Sequence, residues 1–214
     1  MNRRKLRPKS GRRSISGSVF INCPFESSYK PMFDAIVFAV IALNFDARSA
    51  LARDTGSEER LRKIVRMIGE SRFGIHDLSF MRVDRKTRLP RYNMAFELGL
   101  FLGCCEYGGR RHTTKSCLIL DRQRYRYRKS LSDLSGRDIQ AHAGKPLKAI
   151  AIVRDWLATE SGLSQLAGGR FVVEQYRRFR RQLPRLCQKM KRQVTALTFG
   201  DYCEMVRVWL SMDA

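Results

Sequence analysis

Ser18-Val19-Phe20-Ile21-Asn22-Cys23-Pro24 opens the patterned part of this chain, and the run behind it, Tyr29–Leu43, changes from strand-like to helix-like. The first segment is a short apolar strand halted by a proline, which has no N–H to give to a ladder. The second is entered through Pro31, a residue tolerated in the first helical turn because the N–H it lacks would be unpaired there anyway. The alternation continues downstream. A second strand is expected around Phe45–Leu51, followed by a polar turn through Asp54 and Gly56. Glu58–Glu70 carries Leu61, Ile64, Val65 and Ile68 at helical spacing, and Arg72–Leu78 reads as a third strand. Ser116–Leu120 and Asp138–His142 are the fourth and fifth, and Leu147–Leu157 is a helix with Trp156 on its apolar side. Strands alternating with helices predict an α/β fold: a parallel sheet with helices on both faces, whose ligands sit at the carboxyl ends of the strands.

After Gly168-Gly169 the alternation ends. Phe171–Lys191, interrupted at Pro184, and Phe199–Met212 read as two more helices. The expected division is a basic flexible arm over 1–16, an α/β domain over 17–159 and a basic helical extension over 160–214.

Asn93-Met94-Ala95-Phe96-Glu97-Leu98-Gly99-Leu100-Phe101-Leu102-Gly103 places one carboxylate in an almost wholly apolar run. The run predicts a buried helix starting near Asn93, a good N-cap residue. A capping-box acid would stand three residues on, where the chain has Phe96, so Glu97 is not there to cap. An ionised carboxylate in apolar surroundings is costly unless it meets a cation, several donors or a ligand. Two accounts stand side by side: a structural ion pair with one of the many arginines, or a group facing a bound molecule. Asn93 and Glu97, four apart, share one side of the helix. Asn93 is either a cap alone or a ligand contact, and Asp77 either ends its strand or faces the same ligand. Cys23 is read first as a small core residue, and His76 as a satisfied core histidine.

Three pieces taken in order, Ile21-Asn22-Cys23-Pro24-Phe25, Asp77-Leu78-Ser79 and Asn93-x-x-Phe96-Glu97-Leu98-Gly99, resemble nucleoside 2-deoxyribosyltransferases and bacterial TIR-like NAD-cleaving proteins. The likeness covers roughly residues 18–142. It implies a flavodoxin-like sheet, with Glu97 as the essential carboxylate in cleavage of an N-glycosidic bond at a ribose C1′. It also implies that Asn93 and Asp77 position ribose hydroxyls, with Cys23, Pro24, Phe25 and Ser79 beside the nucleotide. NAD⁺ enters as substrate, no cofactor is implied, and a role in bacterial antiviral defence follows from the same likeness. The alternative is a non-catalytic nucleotide-sensing or nucleic-acid-binding module of the same fold. The loop between Ser79 and Asn93 carries Asp84 among Arg82, Arg85, Lys86, Arg88 and Arg91. Such a loop suits a pyrophosphate better than a bare nucleoside, with Arg82, Arg88 and Arg91 as the phosphate contacts. Nicotinamide leaves without needing a proton, whereas a purine would gain from a general acid.

Across its 214 residues the chain has 42 Lys and Arg against 20 Asp and Glu, a net charge of +22. That balance favours polyanions or phosphorylated ligands and does not determine a fold. The excess gathers in the arm, in 122–129 (Arg124, Arg126, Arg128 and Lys129, alternating with tyrosine or glutamine) and in the C-terminal helices (Arg177, Arg178, Arg181). Arginine beside aromatic residues can hold single strands through phosphate contact and base stacking, which makes nucleic acid or another polyanion an expected partner. The C-terminal helices offer a surface to a second copy or a partner protein. Ala35–Leu43 and Met94–Cys105, the longest apolar runs, are too short to span a bilayer. No apolar segment stands directly behind the basic N-terminus, so no secretory signal is expected. Six cysteines without a Cys-x-x-Cys pair and three scattered histidines argue for a reduced, cytoplasmic protein without a structural metal.

Overall fold

The computed structural model describes residues 17–52, 59–81, 88 and 92–213. The arm over 1–16, the turn through Asp54 and Gly56, Arg82 and Arg91 lie outside the described residues. Strands β1 (Ser18–Asn22), β2 (Asp46–Arg48), β3 (Phe73–Asp77), β4 (Ser116–Asp121) and β5 (Ile139–Ala141) form one sheet in the order β2-β1-β3-β4-β5. Every neighbouring pair is parallel. This is the flavodoxin-like order, and its direction reverses at β1, where the chain leaves toward β2 on one side and β3 on the other. β2 and β5 are shorter than the apolar pattern foretold; both lie on the sheet edges, where a ladder has a partner on one side only.

Residues alternate between the two faces with the period of two that a pleated strand imposes. Val19, Ile21, Phe73, Ile75, Leu118 and Leu120 pack with α1 (Lys30–Ala42) and α4 (Pro146–Ser161). On the other face Phe20 meets α2 (Arg60–Glu70) and Phe101 of α3 (Asn93–Tyr107). Gly74 is required where it is: a Cβ there would stand 2.7 Å from Phe101 and 2.8 Å from His76.

Helices α5 (Gly169–Lys189) and α6 (Phe199–Asp213) belong to the same core as α1 and α4. They form a further layer outside α1, whose residues Met32–Ile41 are all buried. Phe38 of α1 lies within 5.2–6.1 Å of the rings of Tyr176, Phe179 and Trp209. A helix apolar all round is thus covered all round. Two expectations need correction. α5 runs unbroken through Pro184, which lies on the exposed side of the helix, where water can hydrate the carbonyl its missing N–H leaves unpaired. α3 is buried on one face only, through Met94, Glu97, Leu98 and Phe101. Its other face is open, with Phe96 54% exposed, because the helical layer on that side of the sheet has α2 on one flank and nothing outside it among the described residues.

Candidate active site

β1 ends at Asn22, and the chain turns outward through Cys23-Pro24-Phe25-Glu26 at the point where the strand order reverses. The N-terminus of α3 arrives above the same edge from β3. Asn22 joins the two: its side-chain amide donates to the carbonyl of Met94 at 2.9 Å and lies 3.0 Å from Nδ1 of His76. Burial pushes His76 down to about 3, so its ring is neutral. With Nδ1 accepting from Asn22, the ring proton sits on Nε2, which has no hydrogen-bond partner among the described residues; the ring lies edge-to-face against Phe101, with centroids 5.0 Å apart.

The helix start differs from expectation. Asn93 is already the first helical residue and Tyr92 stands at the N-cap position without a side-chain cap bond. Phe96 N–H is instead taken by the Tyr92 carbonyl at 2.8 Å, which leaves the Asn93 amide free to line a cleft. That cleft, about 230 Å³, is walled by Asn22, Cys23, Pro24, Phe25, Glu26, Arg60, Asn93, Met94 and Glu97.

Glu97 is 5% exposed. Burial raises its carboxyl from the ordinary 4.5 to about 6, and the charge of Arg60 opposes that rise. Among the described residues no ion pair or hydrogen bond to its carboxylate is formed. The ion-pair account of Glu97 therefore finds no partner in this region. Arg60, the first residue of α2, holds its guanidinium 5.4 Å from the ring centre of Phe25, a residue 40% exposed. Cys23 sits deeper. Burial first, then the charges of Asp77, Glu97 and Glu26, push its thiol well above the usual value, so it stays protonated and is a poor nucleophile.

Asp77 and Ser79 go elsewhere. Asp77 is fully buried, accepts from the Tyr29 hydroxyl, from the Ser79 hydroxyl and from the Ser79 N–H at 2.7 Å, and lies 3.0 Å from Nε2 of His142. Gly144 N–H donates to Nδ1 of His142 at 2.9 Å, which places that ring's proton on Nε2, facing Asp77 and Ser79. Burial alone would raise Asp77; the bonds from His142, Ser79 and Tyr29 outweigh it and hold the carboxyl below the usual range. The network ties the ends of β3 and β5 to the start of α1 and has no oxygen left for a ribose. Of the anticipated contacts, Cys23, Pro24, Phe25, Asn93 and Glu97 converge. Arg88 is exposed, outside the cleft lining. Among the residues proposed for nucleic acid, Arg126 is turned inward onto Asp121, while Arg177 and Arg181 pair with Glu174 and Arg178 with Asp213.

The chain matches no protein-family model, no curated protein and no solved structure. Its site therefore rests on its own residues, and three of these were not foreseen. Asn22 fixes the start of α3, Arg60 supplies a cation whose charge acts on Glu97, and Glu26 brings a second carboxyl group to the lining. Among the described residues no group of histidine, cysteine or carboxylate side chains is arranged to hold a metal ion. Among them, too, no helix is long and apolar enough to cross a membrane.

Proposed function

We propose that the cleft cleaves the N-glycosidic bond of a nucleotide, with NAD⁺ the first substrate to test. The observation that carries this reading is Glu97: a buried carboxylate in a cleft, without a protein partner among the described residues and with a carboxyl raised to about 6. A charge held at a desolvation cost is well placed to stabilise a positive charge that develops on a ligand. In the cleavage, the C1′–N bond breaks with its electron pair leaving on nitrogen, and the ribose takes on oxocarbenium character. Glu97 would face C1′ and Asn93, one turn away, a ribose hydroxyl. Water then adds through oxygen to C1′ and gives up a proton, for which Glu26 in the same lining is a candidate acceptor. Nicotinamide departs neutral, so no acid is needed on that side.

Phe25 and Arg60 at the mouth offer a stacking face and a cation to the remainder of the nucleotide. A neighbouring cavity of about 330 Å³ shares Pro24, Phe25 and Glu26 with the cleft and gives a dinucleotide room that 230 Å³ alone does not. Mass spectrometry of NAD⁺ incubated with wild type, Glu97→Gln and Glu26→Gln tests the reading. Nicotinamide from wild type, its loss of a hundredfold or more in Glu97→Gln, and a smaller loss in Glu26→Gln are expected. Equal product from wild type and Glu97→Gln, or none from wild type, would sink it.

A further inference from the structure

The basic clusters of the chain are not equivalent once their carboxylate partners are traced. On α5, Arg177 and Arg181 meet Glu174 at 3.3 and 3.6 Å, Arg178 meets Asp213 at 2.7 Å and Arg180 meets Asp34 at 3.3 Å. Past its end Arg192 meets Glu204 at 2.8 Å. Much of that charge is locally compensated. The loop after β4 is different. Arg122, Arg124, Arg128 and Lys129 are exposed, and none has a carboxylate within ion-pair reach among the described residues.

The loop is also held rigidly. Arg126 points inward, its Nε donating to Asp121 at 2.8 Å while its other nitrogens reach the carbonyls of Leu78 and Met81. Tyr127 is buried with Leu78, Met94, Leu98 and Ile119. Between these anchors and the solvent, Tyr125 adopts φ 61° and ψ 2°, a left-handed conformation that is an outlier for a bulky side chain. Tyr125 is 58% exposed, and the Arg128 guanidinium lies 4.5 Å from its ring centre. A strained residue persists only where the surroundings over-determine it, and such residues gather at ligand clamps. Here the strain presents an aromatic face outward amid uncompensated cations.

We propose that Tyr125, with Arg124, Arg128 and Lys129 around it, is a platform for single-stranded polynucleotide, a base stacking on the ring and neighbouring phosphates meeting the cations. Stacking needs an unpaired base, so a duplex is the poorer ligand. The platform uses nothing in the Glu97 cleft, and Glu97→Gln leaves it intact.

Fluorescence anisotropy with labelled twelve-nucleotide strands of DNA and of RNA, a matching duplex, and phosphatidylserine vesicles as competitor tests this between about 50 and 200 mM salt. Either strand binding more tightly than the duplex supports the platform, and the tighter of the two identifies the sugar it accepts. Tyr125→Gly suits the left-handed backbone, so the fold should melt no lower than wild type while strand affinity falls about 5- to 150-fold, the range for loss of one stacked base. Tyr125→Phe should bind like wild type. Arg128→Gln should flatten the logarithmic salt dependence by about 0.7, the share of one phosphate contact on a single strand. Arg177→Gln with Arg181→Gln should change little. Unchanged binding in Tyr125→Gly, equal affinity for strand and duplex, greater loss from the α5 pair than from Tyr125, or binding to vesicles alone each overturns the proposal.

Discussion

Glu97→Gln removes a charge while keeping the shape of the side chain, and its effect on stability has opposite signs for a ligand-facing carboxylate and for a structural ion-pair member. Burial lifts this carboxyl from 4.5 to about 6. A shift of that size corresponds to about 2 kcal/mol, lowered to about 1–2 kcal/mol because the cleft opens to screening solvent. The folded state binds the proton more tightly than the unfolded chain. The destabilisation is therefore absent well below 4.5, grows between 4.5 and 6, and is complete above 6. The glutamine variant should be about 1–2 kcal/mol more stable than wild type at pH 7, with a gain of only a few tenths by about pH 4.5. In melting temperature the neutral-pH gain is about 2–8 °C for a chain of this size. Urea unfolding followed through the fluorescence of Trp156 and Trp209 at the two pH values measures it. A variant less stable than wild type at pH 7 would show that the carboxylate serves the fold. The same gain at both pH values would refute the desolvation argument.

Gly74→Ala should destabilise by about 1–3 kcal/mol without changing the urea slope, because the added methyl must displace the buried Phe101 or His76 ring. His142→Ala takes one donor from Asp77 and should cost about 2–3 kcal/mol at pH 7 in urea unfolding. Since Asp77 is held below the usual range, that cost should persist down to about pH 4 and shrink only below it, as the carboxyl takes up its proton. Trp209→Ala opens the aromatic cluster beside Phe38 and Phe179 and should lower stability by about 3–5 kcal/mol. A calorimetric loss confined to α6, with the rest of the chain melting as before, would contradict the shared core.

Continuous apolar runs such as Val19–Ile21, Phe73–Ile75 and Leu118–Leu120 made the central strands legible, because a parallel strand buried on both faces admits little else. The spacing of Asn93 and Glu97 placed both in one cleft for the same kind of reason: a helix puts residues four apart on one side. Whether Asn93 or Tyr92 occupies the cap is a matter of one residue's backbone, which side-chain preference does not decide. Glu26 stands alone in a loop with no period to mark it. His142 lies 65 positions beyond Asp77 and reaches it only through the pairing of β4 with β5. On α5 the buried face runs through Val172, Tyr176, Phe179 and Leu183, and amphipathic spacing of that kind says that a face is covered, not by what. Charge was the least legible. Arg126 and Arg128 are two residues apart in the same run, and one is a part-buried tie to Asp121 while the other lies exposed over the Tyr125 ring.

The layer of α5 and α6 outside α1 has a consequence during synthesis. α1 leaves the ribosome well before α5 and α6, which form its outer cover. At about 5–20 residues per second, the apolar stretch from Phe33 to Ile41 waits on the order of ten seconds or more for Phe179 and Trp209 to arrive. Throughout that interval the nascent chain presents a sticky helix with no home for it. A product truncated or stalled before α6 is consequently a client for chaperones or proteases.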